Sequence, residues 1–156
     1  MCVELDVPPP LRRALAASPR ALIGIPYVRG GVTPEVGFDC FTLTAFVRWH
    51  WYARRTPITA AFPKARKSSV LQCALMLRRM FGRELERIAA PWEHCACAHP
   101  GCVVALGMAK CGPLHHCGVW IDDGVLHAVE GVGVAWTPAA RIESLFRRVE
   151  FFECRD

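Results

Sequence analysis

Between residues 24 and 40 the chain concentrates Gly24, Gly30, Gly31 and Gly37 with Pro26 and Pro34, and an apolar run begins immediately afterwards at Cys40. Such a stretch cannot continue a helix or a strand, so it must be a loop, and glycine lets that loop approach other groups closely. The run that follows holds Phe41, Leu43, Ala45, Phe46, Val47 and Trp49. This pattern predicts a helix from about Cys40 to Tyr52 that is apolar on most sides and therefore needs cover from other layers. Asp39 is placed to cap it. Cys40 then sits on the first turn, where unpaired N–H groups and the positive end of the helix dipole favour thiolate over thiol, and the thiolate is the nucleophile.

Around that helix the pattern changes once. Pro8-Pro9-Pro10 is a stiff lead-in, Leu11 to Ala17 reads as a short helical segment, and Ser18-Pro19 reads as the N-cap and first position of another that ends at Gly24. After a loop with Pro57 and Pro63, Ser68 or Ser69 caps a helix through Leu71, Leu75, Leu77 and Met80 to Gly82. Beyond Gly82 the chain turns extended. Pro100-Gly101 makes a turn before a strand from Cys102 to Leu106, and Cys117 to Ile121 forms a second strand. Asp122-Asp123-Gly124 turns a hairpin into Val125 to Val129, and Val134 to Trp136 follows. Thr137-Pro138 starts a short helix to about Phe146, and Arg148 to Cys154 is the last strand. Helices followed by an antiparallel meander predict an α+β domain. We read residues 1–156 as one domain with 1–18 as its lead-in; a chain 53% hydrophobic at this length can build a core.

The formal charge of +5 comes mainly from arginines at 12–20, 48–55, 64–67, 78–87 and 141–148. Without a basic tail, zinc-finger spacing or interleaved aromatic stripe, these read as solvated helix faces rather than a nucleic-acid surface. The segment from Met1 to Pro10 has neither a basic start nor an apolar core, and no run is long enough to span a bilayer. The expectation is synthesis in a cytosol, without a membrane partner. Nine cysteines in that setting are expected to be reduced, as small buried residues, metal ligands or a nucleophile.

Two histidines complete a candidate constellation. His116 opens a strand in His115-His116-Cys117-Gly118-Val119-Trp120, and His127 follows across the hairpin. One cysteine with histidines distant in sequence is the pattern of a nucleophile with its base. A free cysteine is also commonly a core residue, and a histidine at a strand end is also commonly an ordinary polar side chain. Strand alternation places His115 opposite His116, facing solvent.

These motifs, in this order, resemble the NlpC-type cysteine peptidases of the papain-like superfamily. The matching residues are Pro26-Tyr27 with Gly30-Gly31, Asp39-Cys40, Pro100-Gly101, His116-Cys117-Gly118-Val119-Trp120, Asp123-Gly124 and His127. The resemblance runs from about Ala21 to the C-terminus. It implies a papain-like α+β fold of N-terminal helices on an antiparallel meander. It implies amide hydrolysis in peptidoglycan stem peptides through a thioester acyl-enzyme, with no cofactor. Among family members, short unexported ones look like phage tail-tip proteins, so tail proteins are implied partners and a phage tail a destination. Cys40 would be nucleophile, His116 general base, and His127 the group that orients it. Tyr27 would donate its hydroxyl to the oxyanion beside the Cys40 N–H. Asp39 would cap the helix and bind a substrate ammonium. The chain departs from the pattern at Phe41-Thr42, where Ser-Gly is usual, at Cys102, where an aspartate is usual, and in a hairpin one residue shorter.

Two other readings stand beside this one. His94, Cys95, Cys97, His99, Cys102, Cys111, His115 and Cys117 are residue types that bind zinc, and Cys95 and Cys97 would share a face if the segment were extended. Their spacing lacks paired Cys-x-x-Cys regularity, so we read a cysteine-rich loop without metal. The remaining reading keeps the fold as a non-catalytic tail-assembly component.

Overall fold

Asp39 starts the element around which the molecule is arranged. Its carboxylate accepts hydrogen bonds from the N–H groups of Phe41 and Thr42 at 3.0 and 2.9 Å, and the Thr42 hydroxyl accepts the Asp39 N–H at 3.0 Å. This reciprocal capping box opens helix α1, Cys40–Tyr52. The helix ends at Ala53 in a left-handed conformation. Cys40, Phe41, Thr42, Leu43, Thr44, Phe46, Val47 and Arg48 are all buried, which matches a helix covered on most sides. The structure is a computed structural model and describes residues 18–56 and 92–154. The expected helices over Leu11 to Ala17 and from Ser68 to Gly82, and the loop between Pro57 and Pro63, lie outside the described residues.

Ser18 caps a single 3-10 turn, Pro19–Leu22, shorter than the helix expected there. The glycine-rich loop is more ordered than its composition suggests. It holds a two-residue ribbon, β1 (Val32–Thr33) and β2 (Gly37–Phe38). Backbone bonds from Val28 N–H to Phe38 O and from Phe38 N–H to Pro26 O stitch the Tyr27 segment onto the residues that precede Asp39. Gly37 is required here: its φ is +116°, and a Cβ would lie 2.6 Å from the Pro26 carbonyl oxygen.

The second half is a six-stranded antiparallel sheet of β3 (Trp92–Cys95), β4 (Val103–Gly107), β5 (His116–Ile121), β6 (Gly124–Val129), β7 (Gly133–Pro138) and β8 (Arg148–Cys154). Strands β4 to β7 form the expected meander. The spatial order is β3-β8-β4-β5-β6-β7, so the last strand returns into the slot between β3 and β4. Asp122 and Asp123, both at positive φ (45° and 57°), form the tight turn joining β5 to β6. Strand β7 runs through Thr137 and Pro138, which pair with Val125 and Gly124. Helix α2, Ala139–Leu145, therefore starts after the Thr137-Pro138 position expected from sequence. The fold class is α+β.

Helix α1 packs on one face of the sheet, where Leu43, Phe46 and Val47 meet Val119, Ile121, Leu126, Ala128 and Val134. The opposite face carries Val104, Leu106 and Val125 against Ile142 of α2. Each of these side chains larger than alanine contributes about 1.5–3 kcal/mol through burial. Arg48 is fully buried and pairs with Glu153 of β8 at 2.6 Å, while also donating to the carbonyl of Gly101 and to the Thr56 hydroxyl. Burial pushes the Glu153 carboxyl up, but its hydrogen bond and ion pair with Arg48 outweigh this and hold it below the ordinary range. Among the described residues no helix is long and apolar enough to cross a membrane.

Candidate active site

Register and alternation bring the two histidines together. Trp120 pairs with Val125, so these two share a face of the sheet, and His116 and His127 lie two-residue steps away on that same face. Their ring nitrogens, His116 Nε2 and His127 Nδ1, are 2.9 Å apart. Gly118 lies between them on this face. A Cβ at Gly118 would come within 2.6 Å of the Leu126 carbonyl oxygen and 3.0 Å of the His127 Cβ, so the glycine makes room for the second ring. The other ring nitrogen of His127, Nε2, lies 3.0 Å from the Thr137 hydroxyl. Thr137 pairs with Val125, which puts it on the same face.

Burial keeps both rings neutral. His116 is pushed down to about 3, by burial first and then by repulsion from His127 and His115, and His127 is pushed down to about 4 by burial. Each therefore carries one proton at neutral pH and keeps one nitrogen lone pair. Phe146, just past α2, lies nearly parallel to the His116 ring, with centroids 6.2 Å apart and 16° between planes.

A cavity of about 720 Å³ gathers the sequence candidates: Cys40, Tyr27, His115, His116 and His127 all line it. Its walls also include Met108, Val132, Trp136, Leu145 and Phe146. Cys40 is 2% exposed. Its carbonyl accepts hydrogen bonds from the Thr44 hydroxyl at 2.7 Å and from the Cys117 thiol at 3.4 Å, which ties the first turn of α1 to β5. This arrangement sets a thiol on a helix start and a neutral, hydrogen-bonded imidazole pair around one space, the components of thiol acyl transfer.

Two expectations change. His115 does not face solvent: it precedes β5, lines the cavity, and its Nε2 is buried with no hydrogen-bond partner among the described residues. Burial lowers its pKa as well. Asp39 caps the helix but is itself buried. One carboxylate oxygen takes the Phe41 and Thr42 N–H groups, and the other accepts the Gly30 N–H at 2.8 Å. It is not among the cavity-lining residues, so the geometry leaves it structural and does not present it to a substrate ammonium.

The zinc-type residues are dispersed. β3 ends at Cys95 and Cys97 lies in the bend beyond it, so the extended geometry that would align the two stops short. Cys95 Sγ lies 3.7 Å from His99 Nε2, Cys102 accepts the His99 N–H, Cys117 is buried against Cys40, and Cys97 and Cys111 are exposed. Among the described residues no group of three or more His, Cys, Asp or Glu side chains is placed to hold a metal ion. Burial pushes the Cys102 thiol up to about 11 and raises Cys95 as well, the opposite of an activated thiol.

Sequence reading missed Thr137 and Phe146. Thr137-Pro138 carries a helix-start signal, and only the pairing with Val125 reveals the threonine as a strand residue facing His127.

No protein-family model matches the chain, and no curated protein matches it. It is similar to solved NlpC/p60 structures. One is the crystal structure of the NlpC/p60 domain of peptidoglycan hydrolase SagA, at 18% identity and a TM-score of 0.47, covering 90% of this chain and 97% of that one. Another is a protein similar to a lipoprotein of the NLP/P60 family from Staphylococcus aureus, at 12% identity and a TM-score of 0.44, covering 94% of this chain and 43% of that one.

Proposed function

We propose that this chain is an NlpC-type cysteine hydrolase that cleaves an amide bond in a peptidoglycan stem peptide, with a phage or prophage tail as its setting. The observation that carries the reading is that Cys40 and the hydrogen-bonded His116–His127 pair wall one cavity. The family resemblance carried by the motif order supplies the substrate class, and likeness to that family's short tail-tip members supplies the setting.

His116, neutral at pH 7, takes the Cys40 thiol proton as the sulfur attacks the scissile carbonyl carbon. The oxyanion that forms is met by the Tyr27 hydroxyl at the cavity wall. Collapse breaks the C–N bond, and the amine leaves with the proton held by His116. Water then attacks the thioester, again losing its proton to His116, and the thiol is restored. His127 holds the His116 ring in place throughout.

Cys40→Ala should abolish release of stem-peptide fragments from purified peptidoglycan of several chemotypes, and His116→Ala should be nearly as damaging because the two act as a unit. In brief iodoacetamide labelling read by mass spectrometry, Cys40 should react ahead of the other cysteines. Wild-type protein that cuts no wall chemotype and leaves Cys40 unlabelled would sink the proposal.

A further inference from the structure

The hydrogen-bond chain from His116 does not stop at the second histidine. His116 Nε2, His127 Nδ1, His127 Nε2 and the Thr137 hydroxyl follow one another at 2.9 and 3.0 Å across three adjacent strands. A neutral imidazole has one N–H and one lone pair, so the chain has a direction, and only two directions exist. In one, His127 Nε2–H donates to Thr137, His127 Nδ1 accepts from His116 Nε2–H, and the lone pair of His116 is on Nδ1. In the other, the Thr137 hydroxyl donates to His127, His127 Nδ1–H donates to His116, and Nδ1 of His116 carries a proton and cannot act as a base.

We infer that Thr137 is a positioning residue: its hydroxyl accepts the His127 Nε2–H and so leaves the His116 lone pair on Nδ1, the ring nitrogen that His127 does not engage. The inference rests on the reading of Cys40 and His116 as nucleophile and base. Its physical ground is where each direction leaves its terminal proton. With Thr137 accepting, the last proton is a threonine O–H on a partly exposed side chain, where water can take it. With Thr137 donating, the last proton is an N–H on His116 in the cavity that Cys40 also lines, and it occupies the nitrogen that a base must keep free. That both rings are neutral at pH 7 makes each tautomer well defined.

The test is two-bond ¹H–¹⁵N correlation of the histidine rings in the whole ¹⁵N-labelled chain at pH 7. Wild type should show Nε2–H on both His116 and His127. Thr137→Val removes the acceptor at nearly constant shape and should move the His127 proton to Nδ1, with Cys40 alkylation slowed tenfold or more. Thr137→Ser should keep both the wild-type tautomers and the wild-type rate. Nδ1–H on wild-type His127, or unchanged tautomers in Thr137→Val, would overturn the inference. Tautomers as stated, together with an inert Cys40 and no wall cleavage, would leave the relay intact and remove the hydrolase reading instead.

Discussion

His127 shows how one side chain couples the site to the stability of the fold. It is 4% exposed and its folded pKa is pushed down to about 4, against 6.5 for an ordinary histidine. The unfolded chain therefore takes up a proton at His127 as pH falls below 6.5, while the folded chain does not until about 4. The stability this group contributes is complete above 6.5 and is lost as pH falls through that window, at about 1.4 kcal/mol per pH unit. Urea midpoints measured at pH 7.5, 6 and 5 should fall accordingly, and His127→Asn should flatten that slope. A wild-type slope unchanged by the substitution would mean the imidazole is not held neutral by the fold.

The hairpin β5–β6 carries the histidine pair of the candidate site because its register and its glycine agree. Gly118→Ala would drive a Cβ to 2.6 Å from the Leu126 carbonyl oxygen and against His127. It should cost about 1–3 kcal/mol of stability by overpacking, read by denaturant unfolding, and, under the proposed hydrolase function, lower the cleavage rate about tenfold through the displaced ring. Much of this element was legible beforehand. Asp39 and the apolar run marked α1 to its ends, the paired aspartates marked the hairpin, and alternation from Val119 to Leu126 set which side chains face α1. Less was legible where local and long-range signals diverge. Strands β1 and β2 are two residues each, too short for any period. Thr137-Pro138 signals a helix start locally, yet the ladder with Gly124 and Val125 keeps it in the sheet. His115 departs from the alternation rule because that rule applies within a strand, and His115 precedes β5.

At the scale of the whole molecule, strand β8 joins parts that are far apart in sequence. It pairs with β3 and β4 at once, and its Glu153 meets both Arg48 and Arg54 at 2.6 Å. No reading of local pattern could have placed it, because β8 follows α2 and its partners precede the hairpin. Glu153→Gln should destabilise the chain by about 3 kcal/mol, since it leaves the fully buried guanidinium of Arg48 without its counter-charge. A loss below about 1 kcal/mol in equilibrium denaturation would show that the carbonyls of Gly101 and Arg55 suffice for Arg48. The pair also bears on the order of folding events. Arg48 and Glu153 are 105 residues apart, so their encounter requires closing a long loop, whereas the hairpin β5–β6 closes over a two-residue turn. The slot between β3 and β4 is then filled late, after the barrier. Stopped-flow measurements on Glu153→Gln should accordingly find the lost stability in a faster unfolding limb, with refolding nearly unchanged.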